Sequence, residues 1–226
     1  MKNKLLYLYQ NLIFTINYLF FKTFNEKNFI KSKINENSVI FDVGSNVGSF
    51  IKLISKFSKN KSLEIYSFEP NSKLIKRQQK LNLNKKHKLT LNNFAIHEKL
   101  KEIEYFENTV SSQSTTRKDY KIGKIINSYT VNCISIDLYC KKNEINRIDV
   151  LKIDTEGSDY NVLLSAKGML GEKKIKFIKI EIDNTNDVYQ ILNYLKNFDY
   201  KLIGVLNQTY ISNELKIFDC YFELSS

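Results

Sequence analysis

Apolar and polar positions along the chain change period repeatedly, and the changes mark out elements. "SVIFDVG" (38–44) is an apolar run interrupted by Asp42 and predicts a strand buried on both faces. In "NVGSFIKLISKFSK" (46–59) the apolar residues Val47, Phe50, Ile51, Ile54 and Phe57 fall at helical spacing. "LEIYSFEP" (63–70) is a second strand, ended by the chain's only proline. "NSKLIKRQQKLN" (71–82) predicts a helix with Asn71 as its N-cap, and "HKLTLNNFAI" (87–96) a third strand. "EIEYFENTV" (102–110) alternates as a strand does, whereas "SSQSTTRKDYKIGKII" (111–126) is polar and loop-like. "SYTVNCISIDLYCKKN" (128–143) gives a strand and a short helix. "IDVLKIDTEG" (148–157) is a buried strand ending in acids and a glycine, and "SDYNVLLSAKGML" (158–170) a helix with Gly168 near its end. A strand over 174–183, a helix over 187–197 and a two-stranded hairpin over 200–224 complete the chain.

Strands that alternate with helices and end in a hairpin predict an α/β domain. Its sheet is mostly parallel, with helices on both faces and an antiparallel edge. The domain is expected over residues 38–226, preceded by an apolar helix and linker over 1–37. Leu5 to Phe21 is strongly apolar and flanked by Lys2, Lys4 and Lys22. Asn3, Gln10 and Asn17 recur every seven residues and draw a polar stripe along it. Spanning a bilayer takes about 20 mostly apolar residues, and no small-residue cleavage site follows. Three placements stay open, in descending order: a helix docked on its own domain or on a second copy, a membrane-surface helix, and a signal anchor.

Composition changes this picture little. At 226 residues and 42% apolar content the chain supports one sizeable core. The net charge of +11 suits an anionic partner, but the lysines are scattered along the chain, so a nucleic-acid partner is not expected. Cys133, Cys140 and Cys220 lack the spacing of a disulfide framework or a zinc site, which indicates a reducing, cytoplasmic setting, with peripheral membrane contact as a second placement.

The chemistry gathers at strand ends. Gly44 and Gly48 follow the first strand, where a doubly wound sheet binds ligands. Gly44 allows a positive φ, and Gly48 a close approach of backbone to ligand. The turn lacks the third glycine of a dinucleotide site and the Gly-Lys-Ser/Thr of a P-loop. Asp42 just before it would repel a pyrophosphate but suits a cationic group. Glu69 ends the next strand, about 20 residues on, where an acid accepts hydrogen bonds from ribose hydroxyls. Adenosine carrying a cationic amino-acid tail meets these demands, which describes S-adenosylmethionine.

"FDVGSNVGSF", "SFEP", "NNFAI", "VLKIDTEGSDYNVLLSAKGML" and "IKIEI" together resemble the FkbM-type methyltransferases, from about Val39 to Asp183. The resemblance implies a Rossmann-like, seven-stranded sheet and S-adenosylmethionine-dependent methylation of hydroxyl oxygens on sugars or polyketide-type acceptors. It implies that Asp42, Gly44, Asn46 and Gly48 form the methionine-side loop and that Glu69 holds the ribose. Asn93 and Ala95 would flank the adenine, and Asp154 and Glu156 would sit where methyl meets acceptor. Family members often carry His where this chain has Asp183, which bears on the acceptor.

Asp154 and Glu156 end one buried strand, and Glu181 and Asp183 the next. Burial and mutual repulsion would raise one carboxylate's pKa and suit it to base work. The alternative is an Mg²⁺ or Ca²⁺ site from Asp154, Glu181 and Asp183, a metal that is not expected. His97 is expected at the surface or in a loop, and Lys152 to pair with a carboxylate. "SSQSTT" with Arg117 and Lys118 is either a substrate-side loop or simply solvated. Three further functions compete. A nucleic-acid methyltransferase lacks the Asn-Pro-Pro-aromatic motif, a dehydrogenase lacks the third glycine, and a non-catalytic subunit would not need the acids.

Overall fold

The computed structural model describes residues 24–58, 61–109, 114–118, 124–183, 188–211 and 214–225. The apolar stretch Leu5–Phe21 lies outside them. No helix among the described residues is long and apolar enough to cross a membrane.

The chain begins with α1 (Glu26–Lys33), capped by the Asn25 side chain, which accepts the Asn28 N–H. Phe29, Ile30 and Ile34 of this segment, expected as a linker that could hold another helical turn, are buried in a cluster with Ile40, Ile65 and Phe177 of the sheet. Each such side chain contributes about 1.5–3 kcal/mol. Then follow β1 (Val39–Val43), α2 (Ser49–Phe57), β2 (Glu64–Phe68), α3 (Ser72–Gln79) and β3 (Lys88–Asn92). Asn71 caps α3 as its sequence position predicts, accepting the Lys73 N–H at 3.0 Å. Next come β4 (Ala95–Ile96), β5 (Lys101–Asn108), β6 (Ile125–Ile134) and α4 (Ile136–Lys142). The last third holds β7 (Ile148–Ile153), α5 (Asp159–Leu164), α6 (Lys167–Gly171), β8 (Ile175–Asp183), α7 (Val188–Lys196), β9 (Tyr200–Ile211) and β10 (Glu214–Leu224).

Seven strands form one sheet in the order β3-β2-β1-β7-β8-β10-β9. All its pairings are parallel except those of β10 with β8 and β9, so the terminal hairpin supplies the antiparallel edge. The chain builds outward from β1 through β2 to β3, then returns to place β7 on β1's other side. The strand order therefore reverses at β1/β7, and a crevice opens beyond their carboxyl ends.

Alternation along β1 divides the core between two faces. Phe41 and Val43 point into the larger cluster, with Val162, Leu163, Leu170 and Ile191 of the helices after β7. Ile40 points the other way, toward Ile30 of α1 and Ile51 and Ile54 of α2. Asp42 shares that second face by the two-residue period.

Two predicted elements divide. The single strand over 87–96 is two: Asn93 leaves the ladder to donate to the Glu69 and Pro70 carbonyls, and β4 joins a separate three-stranded sheet, β4-β6-β5. The single helix over 158–170 breaks after Leu164. There the Ser165 hydroxyl bonds the Val162 carbonyl at 2.7 Å, and Asp137 accepts the Gly168 and Met169 N–H groups. Gly168 thus lies near the start of α6. His97, expected at the surface or in a loop, lies in the loop after β4 and is only 7% exposed there.

Candidate active site

The crevice at the strand reversal holds a cavity that opens to solvent beyond the ends of β1, β2 and β7. Its floor is the turn after β1. Gly44 has φ +71°, and a Cβ there would stand 1.8 Å from the Asp154 carbonyl oxygen, so only glycine lets β1 and β7 close. Asn46, at φ +49°, presents its N–H to Glu69 Oε2 at 2.9 Å. Gly48 also takes positive φ, but it does not line the cavity. A Cβ there would meet Leu81 at 2.8 Å, so its role is close packing under α3 rather than ligand approach.

Glu69 is fixed from two sides. Asn71 N–H donates to Oε1 at 2.9 Å, opposite the bond from Asn46. Each carboxylate oxygen thus has one backbone donor and spare acceptor capacity, and the side chain lines the cavity. Burial pushes its pKa up to about 7, with the two N–H bonds and Lys152 opposing. The wall beside it is apolar: Val43, Phe68, Pro70, Ala95 and Ile96. Ala95 therefore stands in the predicted wall, whereas Asn93 braces the end of β2 from behind.

Three polar side chains that the sequence reading did not single out hold the turn. Gln78, 1% exposed, donates to the Asn46 carbonyl at 2.7 Å and to Ser45 Oγ at 2.8 Å. Ser67 Oγ lies 2.7 Å from Ser45 Oγ and 2.6 Å from Gln78 Oε1. A serine inside the apolar "YSF" strand is a readable signal, but nothing marks Gln78 within "KRQQK".

Asp42 does not reach the cavity. It is fully buried, and Lys152 Nζ lies 3.1 Å from its Oδ1. The same ammonium lies 3.2 Å from Asp154 Oδ2 and donates to the Gly44 carbonyl at 2.8 Å. Burial raises the Asp42 pKa, with Lys152 opposing. Burial also disfavours the Lys152 cation, but Asp154 and Asp42 prevail and its pKa rises above the ordinary lysine value. The acid expected to meet a ligand is thus half of a buried ion pair that binds the β1 and β7 turns together.

Beyond β7 the chain turns sharply. Glu156 takes φ +54° and Gly157 φ +94°. The left-handed Glu156 costs about 1 kcal/mol. The buried Asp159 carboxylate supports this turn, accepting from Thr155 N–H (2.8 Å), Thr155 Oγ1 (3.0 Å) and Gly157 N–H (3.1 Å). The "SSQSTT" segment stitches onto the same turn. Thr115 Oγ1 donates to the Glu156 carbonyl at 2.6 Å, Thr116 and Ser158 share a hydroxyl bond, and Arg117 Nη1 donates to the Gly157 carbonyl at 3.2 Å. Ser114, Thr115 and Thr116 line the cavity, as does Tyr105 of β5.

Carboxylate oxygens of Asp154, Glu156 and Glu181 approach within 4.8 Å of one another. Of the predicted metal set, Asp154 and Glu181 meet, with Glu156 as third member; the Asp183 side chain lies outside the described ones. Burial and the neighbouring carboxylates of Asp154, Glu156, Asp159 and Asp219 push the Glu181 pKa up to about 10. The raised acid is therefore Glu181. In a chain of net charge +11, this crevice is lined by Glu69, Asp154 and Glu156, a setting for a cation.

The sheet order, the crevice at its reversal and the acid at the end of β2 define a Rossmann-like methyltransferase fold. Residues 42–202 match the model of the methyltransferase FkbM domain, and the chain belongs to that family. Among solved structures it is similar to the methyltransferase FkbM of Methylobacillus flagellatus, at 19% identity and TM-score 0.54, covering 84% of this chain and 44% of that one. This chain therefore spans less than half the length of that protein. A Streptococcus thermophilus rRNA methylase is similar at 13% identity and TM-score 0.52, over 89% of this chain and 95% of that one. A Streptococcus mutans protein assigned as a methyltransferase, in complex with SAH, is similar at 13% identity and TM-score 0.51, over 88% and 94% of the two chains. No curated protein matches the chain in sequence.

Proposed function

We propose that the chain is an S-adenosylmethionine-dependent O-methyltransferase acting on a hydroxyl of a sugar or glycan. The observation that carries this reading is that Glu69, Asp154 and Glu156 line one cavity, with Glu181 close to the last two. The donor fits the residues present. Glu69 keeps acceptor capacity for two ribose hydroxyls, the Ala95–Ile96 wall takes a flat ring, and the acidic lining suits a sulfonium. S-adenosylmethionine supplies an electrophilic methyl group on that cationic sulfur. The protein's part is to orient the acceptor oxygen about 3 Å from the methyl carbon and to take up its proton.

Asp154 is ion-paired with Lys152 at 3.2 Å, which ties its side chain to the β1–β7 junction. We therefore assign proton acceptance to Glu156, which lines the cavity, while burial and neighbouring carboxylates raise the Glu181 pKa so that Glu181 keeps its own proton. Ser114, Thr115, Thr116 and Ser158 offer hydroxyls beside these acids, which suits a polyhydroxyl acceptor.

Calorimetry with S-adenosylhomocysteine, followed by labelled methyl transfer to glycan fractions and to RNA, tests both halves. Binding with transfer to glycan is expected. Transfer confined to RNA would overturn the acceptor, and failure to bind would overturn the donor site.

A further inference from the structure

Three lysines converge on one aromatic ring where the chain enters the domain. Lys27 and Lys31, one turn apart on α1, and Lys56 at the end of α2 place their ammonium nitrogens 5.5, 5.7 and 5.6 Å from the centre of the Phe57 ring. All three are exposed, and none forms an ion pair among the described residues. Lys61 joins them through the Lys31 carbonyl (3.4 Å), and Lys86 through the Ser55 carbonyl of α2. The acids nearby are occupied: Glu26 bonds Lys179 and Tyr221, and Glu36 accepts the Ser62 N–H. Gathering like charges this closely is unfavourable until an anion meets them.

Leu5 to Phe21, with Lys2, Lys4 and Lys22 at its ends, directly precedes this patch in sequence. Phe24 ties the chain to the domain, its ring 4.6 Å from that of Tyr221. The large apolar side chains exposed among the described residues are Leu100, Ile125, Ile126 and Tyr189, none of them on α1 or α2. Beside its root the apolar side chains of α2, Phe50, Leu53 and Phe57, are only partly exposed, a narrow strip for so long an apolar stretch. A second copy would bring its own lysine cluster and its own charge of +11. A nucleic acid would satisfy the lysines but not the apolar residues.

We propose that the apolar stretch, α1 and the end of α2 form a contact surface for an anionic lipid bilayer. One apolar insertion and one basic patch are the two signals that stable peripheral attachment requires. The patch lies at the far end of α2 from Gly48, about 13 Å away at 1.5 Å per residue.

The test is co-sedimentation of the full chain with vesicles of phosphatidylcholine alone or mixed with phosphatidylglycerol. Binding is expected to need phosphatidylglycerol and to weaken with salt. At roughly fivefold per lysine, Lys27→Gln, Lys31→Gln and Lys56→Gln together should lower the partition coefficient about a hundredfold. The substituted lysines are exposed, so thermal unfolding should match that of the parent chain. Leu12→Asp with Ile16→Asp should abolish the attachment that survives high salt. Equal binding to both vesicles, a triple variant that binds as the parent does, or lysine-dependent binding to RNA but not to vesicles would each overturn the proposal.

Discussion

Glu69 ties fold stability and ligand affinity to pH with opposite signs. Its carboxyl titrates near 7 in the folded protein, against 4.5 for the ordinary glutamate value. Between those two values the folded state holds a proton that the unfolded chain has released, so stability falls as pH rises through the window. At 1.36 kcal/mol per unit, the difference of about 2.5 units corresponds to about 3 kcal/mol between pH 4.5 and pH 8. Binding of a ribose runs the other way, because its hydroxyls donate to the ionised carboxylate, and affinity should climb as pH passes 7. Glu69→Gln isolates this group: it removes the titration, and it also loses one of two accepted N–H bonds at every pH, costing about 1–2 kcal/mol. Urea denaturation of both proteins from pH 4.5 to 8, with calorimetry of S-adenosylhomocysteine binding alongside, reads both slopes. If the stability difference between parent and variant is flat across that range, the assignment of the raised carboxyl to Glu69 is wrong.

Replacing Lys152 by Met leaves Asp42 buried without its cation and should destabilise the fold by about 3–5 kcal/mol, read by denaturant midpoint. Gly44→Ala sets a methyl group against the Asp154 carbonyl; we expect insoluble protein or a melting temperature far below that of the parent. Methyl transfer should continue in excess chelator, and a loss that Mg²⁺ restores would assign Asp154, Glu156 and Glu181 to an ion instead.

What could be read from the sequence followed local physics. The apolar runs of β1 and β7 and the Asn71 cap depend on neighbours within a few residues, and the Gly44 turn and Glu69 are marked by short motifs at strand ends. The misreadings share the opposite cause. "HKLTLNNFAI" stays apolar across Asn93, and only the carbonyls of Glu69 and Pro70, over twenty residues back in sequence, explain the break. Asp42 looked like a ligand group because its counter-ion lies 110 positions away, and Gln78 went unnoticed because its partners belong to the turn before α2. The burial of Phe29 and Ile30 comes from strands and helices that no window around them contains.

The Lys152 bridge also orders events during synthesis. Until the ribosome has released residues beyond about 152, Asp42 has no cation to accompany it into the core, and β1 lacks the neighbour on which its carboxyl-end ladder closes. A nascent chain carrying only the first three strands would have to bury a lone charge to fold, so its β1 stays unsettled. Contacts of such long sequence separation are slow to form. The crevice beyond β1 and β7 is therefore assembled late, and its formation marks a chain whose central strands have already closed.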